Sequence, residues 1–288
     1  MLVKRRAKKH GFSPQLFQYK KIQLLLADRK VDFKIDNTAL KKFSLVYLSN
    51  VFHYMHEAAL IAEFCHLKKI PFIPAVLREA RAIPKTKIHN LLACALAGLS
   101  VPKTIFLEDP EIVAPLVKKT FSFPIVAKSN CGSKGAQVFL LENEPALERF
   151  LKRKFRPKEK LSTPTYLFQE FIPADSHIRV LIVGDKVMGA VECRNDTPGE
   201  FRHNLALGGK AHQIKVTPGM KRLAVKAKEA VGYEIAGIDL IKHKETGRLY
   251  ILEINRTPEF KKFTKATGID ALGEIIKLFL RFSRKPIQ

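Results

Sequence analysis

The chain has 288 residues, and its 51 Lys plus Arg stand against 27 Asp plus Glu for a formal charge of +24. That length suits one large domain or two to three small ones, and the charge favours anionic partners: nucleotides, acidic peptides, nucleic acid or acidic lipid. No apolar run is long enough to span a bilayer, and the basic start MLVKRRAKKHGF leads into no apolar signal region. Cys65, Cys94, Cys131 and Cys193 are scattered without a C-x-x-C pair, which predicts reduced thiols and a cytoplasmic setting. His53 and His56 are too close and too isolated for zinc. No zinc-finger spacing or RNP-type aromatic motif is present, so nucleic acid stays a runner-up partner.

In chain order, residues 14–30 predict a helix, with Leu16, Leu24 and Leu25 among Lys and Gln. KVDFKI (30–35) alternates as a strand, and FSLVYLSN (43–50) predicts a second. MHEAALIAEFCHLKK (55–69) predicts a helix and IPFIP (70–74) a short strand. Strands alternating with helices imply a small parallel α/β layer, about half of a doubly wound domain. KTKIHNLLACALAGLSVPKT (85–104) predicts a helix capped by Gly98 and an extended exit at Val101-Pro102. FPIVAKSN (123–130) and AQVFLLEN (136–143) are predicted strands around CGSKG, followed by a helix and the basic segment KRKFRPKEK (152–160). TYLFQEFI (165–172) predicts a strand, and HIRVLIVGDKVMGAVECR (177–194) a hairpin turning at Gly184-Asp185. A polar loop (197–211), a helix (218–231), a hairpin (236–255) and a helix from residue 270 complete the chain.

In VAKSNCGSKGAQV, Lys128 closes a strand and a loop with two glycines follows. Such a loop lets backbone N–H groups approach phosphate oxygens while a Lys adds a point charge. It is not a Walker A motif, and a surface hairpin loop accounts for it equally well. In the 177–194 hairpin, a two-residue turn pairs Val183 with Lys186 and His177 with Glu192, placing His177, Arg179, Glu192 and Arg194 on one face. That face suits phosphate or carboxylate recognition, or is a solvated, salt-bridged surface. The loop GEFRHNLALGGKA carries Arg202, His203 and Asn204, and either covers a site or simply connects two elements.

LYILEINRTPEF ends an apolar strand on Glu253 and Asn255, which alternation puts on one face. The preceding AGIDLIKH and the turn KETG form a hairpin signal, and counting back from Lys244 opposite Arg248 sets Asp239 opposite Glu253. Like charges so placed repel. A divalent cation removes the repulsion, and Mg²⁺ accepts sparse oxygen sites completed by water and phosphate. A wet edge strand is the competing explanation.

Taken in order, VAKSNCGSKG, QEFI, HIRVLIVGDKVMGAVECR, GEFRHNLALGGKA, GIDLI, LEINRTPEF and ATGID resemble the ATP-grasp superfamily, and most closely its RimK-like carboxylate–amine ligases. The resemblance covers nearly the whole chain and is best over residues 85–270. It implies an α/β (α+β) ATP-grasp fold in which two antiparallel-sheet subdomains, 85–168 and 169–288, clamp ATP. A small parallel α/β pre-ATP-grasp domain, 1–84, comes first.

The resemblance also implies roles. Lys87 and Lys128 contact the phosphates, with Ser133 and Gly135 in the loop above them. Gln169, Glu170 and Ile172 lie along the adenine, and Asp175 and His177 stand near the ribose. Asp239, Glu253 and Asn255 hold Mg²⁺, with Mn²⁺ as an alternative. Arg179, Arg194 and Asn204 face the γ-phosphate and acceptor, and Arg202 and Arg256 border the substrate. The activity implied is ATP-dependent amide formation through an acylphosphate, on an anionic carboxylate–amine pair such as an amino acid or acidic peptide, by a homo-oligomer without membrane partners. The sequence departs from the family in an N-terminal domain with no first βα unit before residue 14, and at two further places. His177 stands where an acidic ribose ligand is usual, and Arg256-Thr257-Pro258-Glu259 replaces S-S-P-G. A basic nucleotide- or nucleic-acid-binding module on a degenerate scaffold is the alternative.

Overall fold

A computed structural model describes residues 13, 15–27, 30–48, 54–73, 86–107, 109–130, 137–154, 165–195, 197, 201–202, 210–256 and 258–283. Its first strands are β1 (Ile22–Ala27), β2 (Lys30–Ile35) and β3 (Thr38–Ala39), then β4 (Val46–Tyr47), helix α1 (Met55–Leu67) and β5 (Phe72–Ile73). There follow α2 (Lys87–Leu96), β6 (Thr104–Leu107), α3 (Pro110–Thr120), β7 (Ile125–Ser129), β8 (Val138–Leu141), α4 (Glu144–Lys154) and β9 (Tyr166–Glu170). The C-terminal part holds β10 (His177–Val183), β11 (Lys186–Arg194), β12 (Lys210–Ile214), α5 (Pro218–Val231), β13 (Ile235–Lys242), β14 (Leu249–Asn255), α6 (Phe260–Thr267) and α7 (Ala271–Ser283).

Two antiparallel sheets dominate. One has seven strands in the order β3-β2-β1-β6-β9-β7-β8, the other five in the order β12-β11-β10-β13-β14. Among the described residues the parallel pairing expected near the N-terminus is that of β4 with β5, with Val46 opposite Phe72 and α1 between them in sequence.

The helix expected over 14–30 is not formed. A 3₁₀ turn at Tyr19–Lys21 leads into β1, which pairs on one side with β2 and on the other with β6. The segment IQLLLA fits either period. Tertiary pairing decides for the strand, because Ile22, Leu24 and Leu26 fill the core on alternate positions while Gln23, Leu25 and Ala27 are half-buried. Asp36 and Asn37, with φ of 49° and 62°, make the tight turn from β2 to β3.

Helix α2 follows the expected bounds. Leu91, Leu92 and Ala95 are buried, and Gly98 takes the left-handed φ of 73° that lets the Leu99 N–H reach the Cys94 carbonyl at 3.0 Å. Helix α5 is capped by the Thr217 hydroxyl, which accepts from the Met220 N–H at 3.2 Å, with Pro218 at its first position.

Three apolar clusters hold the layers together. The largest joins α2 and α5 to inner residues of both sheets, among them Leu167, Ile178, Val180, Ile238 and Ile254. A second packs α3 and α4 on the outer face of the seven-stranded sheet, where Phe150 meets Tyr166 edge-on at 5.0 Å. The third seats α6 and α7 on the five-stranded sheet through Leu181, Val191, Phe263 and Ile275.

Both C-terminal hairpins contain a bulge. In β10–β11 the turn lies at Gly184-Asp185 as expected, and Val183 pairs with Lys186. The register then slips between Ile182↔Val187 and Leu181↔Gly189, so His177 faces Cys193 and Ile178 faces Glu192. The expectation that His177, Arg179, Glu192 and Arg194 share one face is therefore wrong. Glu192 and Arg194 fall on the other side of the sheet from Arg179. The slip sits beside Gly189, where a Cβ would come within 3.2 Å of Ile269 Cδ1. In β13–β14 the ladder near the turn runs Lys242↔Leu249, one residue away from the counted register, and a bulge at Leu252 restores Asp239↔Glu253.

Candidate active site

The cleft between the two sheets is built from four backbone placements. Strand β7 presents Lys128, and the N-terminus of α2 presents Lys87. Strand β10 presents Arg179, while β13 and β14 present Asp239, Glu253 and Asn255 on neighbouring positions.

Arg179 grips Asp239 with two bonds, Nε to Oδ1 at 2.6 Å and Nη2 to Oδ2 at 2.7 Å. Arg179 and Asp239 are direct cross-strand partners, which is why the fork fits. Asn255 Nδ2 adds a bond to Asp239 Oδ2 at 3.0 Å. Burial alone would push the Asp239 carboxyl up, but the Arg179 charge and these bonds hold it below the ordinary carboxylate range. The same pairing raises Arg179 above its usual value.

Lys87 Nζ lies 3.1 Å from Glu253 Oε1. Lys128 Nζ donates to the Leu252 carbonyl at 3.3 Å, an oxygen exposed by the β14 bulge. Burial lowers Lys128 to about 8, with Glu253 and Asp239 opposing the shift and Lys87 adding to it. Asp239 and Glu253 thus face three cations, Lys87, Lys128 and Arg179, leaving a positive excess suited to a polyanion.

On the seven-stranded sheet, Lys128 shares its face with Val126, Val138, Leu140 and Gln169 through the pairs Lys128↔Val138, Val126↔Leu140 and Val126↔Gln169. Val126, Val138 and Leu140 are half-buried, a flat apolar floor beside the lysine. Gln169 donates to the Thr104 hydroxyl at 2.7 Å, and that hydroxyl donates to the Pro102 carbonyl. Glu170 Oε1 accepts the Lys103 N–H at 2.7 Å and lies on the opposite face, in line with Ile125. Ile172 is buried directly after the strand.

The remaining expected residues are more dispersed. Asp175 is exposed and pairs with Lys244 at 3.0 Å, while its carbonyl accepts from Arg194 Nε at 3.3 Å. His177 is half-buried and contributes to holding Asp239 down. Arg202 lies with its guanidinium 5.9 Å from the Phe201 ring, and its carbonyl accepts from Asn195 Nδ2 at 3.3 Å. Arg256 is exposed and bears on the Tyr233 hydroxyl, while Glu259 pairs with Lys262 at 3.2 Å. Ser133, Gly135, His203 and Asn204 lie outside the described residues.

Two residues that sequence reasoning passed over are central to the framework. The Asn130 side-chain oxygen accepts the Ile88 N–H at 3.1 Å and its backbone carbonyl accepts the Lys87 N–H at 3.3 Å. Asn90 Nδ2 donates to the Ile254 carbonyl at 3.1 Å, and its own oxygen accepts from Tyr233. Neither is marked by a sequence pattern: Asn90 opens an apolar helical run, and Asn130 sits in the polar segment after Lys128.

The donor set tests the metal expectation. Among the described residues no three His, Cys, Asp or Glu side chains gather as a metal group. Asp239 and Glu253 supply two carboxylates, and Asn255, whose Nδ2 is turned to Asp239, keeps its amide oxygen as a third acceptor. Such a hard, sparse oxygen set fits Mg²⁺.

A family model for the RimK-like ATP-grasp domain matches residues 82–279. The chain belongs to the RimK-like ATP-grasp family. A curated relative named probable alpha-L-glutamate ligase, from Pseudomonas paraeruginosa (strain DSM 24068 / PA7), is 34% identical over 203 residues, covering 70% of this chain and 65% of the relative. The chain thus matches slightly under two thirds of that relative's length. In fold, this RimK-like chain resembles the ATP-grasp ligase PsnB complexed with minimal precursor, at a TM-score of 0.55 and 18% identity over 98% of this chain and 94% of that one. It also resembles the D-alanine–D-alanine ligase of Bacillus anthracis, at a TM-score of 0.51 and 16% identity over 77% and 75%. No described helix of the RimK-like chain is long and apolar enough to cross a membrane.

Proposed function

We propose that this protein is an ATP-dependent carboxylate–amine ligase whose substrates include glutamate or an acidic peptide. The observation that carries the reading is the convergence of Lys87 and Lys128 with Asp239, Glu253 and Asn255 in one cleft between two antiparallel sheets. Relatives named as glutamate ligases support the substrate class, and a related fold crystallised with Mg and ADP supports the cofactors.

In this reading the apolar floor of Val126, Val138 and Leu140 takes the adenine, and Ile172 follows it at the hinge. Lys87 and Lys128 give up their contacts with Glu253 and the Leu252 carbonyl to phosphate oxygens. Asp239, Glu253 and Asn255 would hold Mg²⁺, which would supply positive charge against the phosphates. A substrate carboxylate oxygen attacks the γ-phosphorus and ADP leaves. The amine nitrogen then attacks the acyl carbon of the acylphosphate, inorganic phosphate departs, and the nitrogen loses a proton. Arg179, presented on the carboxylate face, stabilises the charge on the transferring group. No enzyme nucleophile takes part.

Incubation with Mg-ATP and pooled amino acids and acidic peptides tests the reading. It predicts ADP, phosphate and an amide product. Absence of Mg-ATP binding overturns it.

A further inference from the structure

Helix α2 carries Lys87 at its first position and is tied to both sheets by buried asparagines. At its N-terminus, Thr86 turns its hydroxyl to His89 Nδ1 at 2.7 Å and makes no capping bond to the helix. The cap comes from elsewhere in the chain. Asn130, two residues after Lys128, accepts the Ile88 N–H on its side chain and the Lys87 N–H on its carbonyl, while its own N–H is anchored to the Thr165 carbonyl at 2.8 Å. With those two amides taken, this helix start is a joint rather than an anion site. Asn130 is 2% exposed and its Nδ2 is buried without a partner among the described residues. An unpaired buried donor is costly. It persists here beside an oxygen that holds the helix.

One turn further on, Asn90 reaches the five-stranded sheet. Its Nδ2 bonds the carbonyl of Ile254, the residue between Glu253 and Asn255, and Tyr233 donates to its oxygen at 3.1 Å. Asn90 is 5% exposed.

We infer that Asn130 and Asn90 are positioning residues that string α2 between the Lys128 strand and the Glu253 strand, and so set Lys87 over the reacting phosphates. This rests on the ligase reading for the identity of the anion. Neither asparagine touches substrate in this account. Each acts through Lys87, whose side chain lies 3.1 Å from Glu253.

A double-mutant cycle tests the inference. Asn130→Leu removes the capping oxygen, and Lys87→Ala removes the charge. Each alone is expected to lower kcat/KM for ATP, by about tenfold and about a hundredfold respectively, and the double variant to be no worse than Lys87→Ala, as for groups acting as a unit. Multiplication of the two losses overturns the inference. Asn130→Asp keeps the acceptor without the orphaned donor and is expected to restore kcat/KM to within about threefold of wild type; a loss equal to that of Asn130→Leu counts against it. If Asn130→Leu does not fold, Asn90→Ala replaces it in the same cycle. Failure of the wild type to bind Mg-ATP would sink the ligase reading instead. The joint is then read by hydrogen exchange at the Ile88 amide, which should be faster in Asn130→Leu and protected in Asn130→Asp. Unchanged exchange in Asn130→Leu overturns it.

Discussion

Arg179 and Asp239 sit directly opposite each other on β10 and β13 and are joined by two bonds of 2.6 and 2.7 Å. The two charges cancel each other within the ligand-free cleft. Removing Arg179 leaves a buried carboxylate with the Asn255 hydrogen bond and the nearby His177 as its remaining support. Arg179→Leu should cost about 3 kcal/mol of stability, read by urea denaturation near neutral pH. A change under about 0.5 kcal/mol would show that the pair is solvated.

Glu253 behaves differently, because it is partly open to solvent and its partner Lys87 is a single contact. Glu253→Gln should lower turnover by about a hundredfold or more while shifting Tm by only a degree or two. The repulsion from Asp239 that counting on the strands brings out is already offset by Lys87 and Arg179, so no large gain in stability is expected. Full turnover in Glu253→Gln would remove it from the metal set.

Lys128 carries a pH dependence. Its folded value is about 8 because burial disfavours the charged form, against about 10.4 for an unfolded lysine. Between these values the unfolded chain binds more protons than the folded one, so this group makes the ligand-free protein more stable as pH rises from about 8 to about 10. In the proposed ligase ATP recruits the protonated amine, so ATP affinity should fall as pH rises through 8, by at most about tenfold per unit. Titration calorimetry at pH 7 and pH 9 reads the difference. Lys128→Met should flatten the profile and weaken binding throughout.

A variant at Arg256 tests acceptor recognition separately from nucleotide binding. Glu259 pairs with Lys262, and Arg256 is exposed directly after Asn255. Arg256→Ala should raise the KM of an acidic acceptor severalfold and leave the ATP Kd unchanged. Equal effects on both would make the residue structural.

Much of the site was legible because it rests on short-range order. Lys128 closing a strand, and Glu253 and Asn255 alternating on another, need only the period of a β-strand. What the sequence hid was where that period breaks. Bulges beside Gly189 and at Leu252 each shift a ladder by one residue. In β13–β14 the shift compensates for a turn one residue longer than counted, so Asp239 still meets Glu253. In β10–β11 nothing compensates, and Arg194 changes face. The strand β1 reads as helix in the sequence because IQLLLA satisfies both periods, and pairing with β6, some eighty residues away, decides the matter. Asn90 and Asn130 left no pattern at all, since their bonds link residues 164 and 42 positions apart.

The most direct test measures ADP released per amide formed, by coupled assay and mass spectrometry, with Mg-ATP and glutamate plus an acidic peptide pool. The account predicts one ADP for each amide in the wild type and loss of both products in Lys128→Ala. ATP turnover that survives Lys128→Ala, or amide formation without ADP, would contradict it.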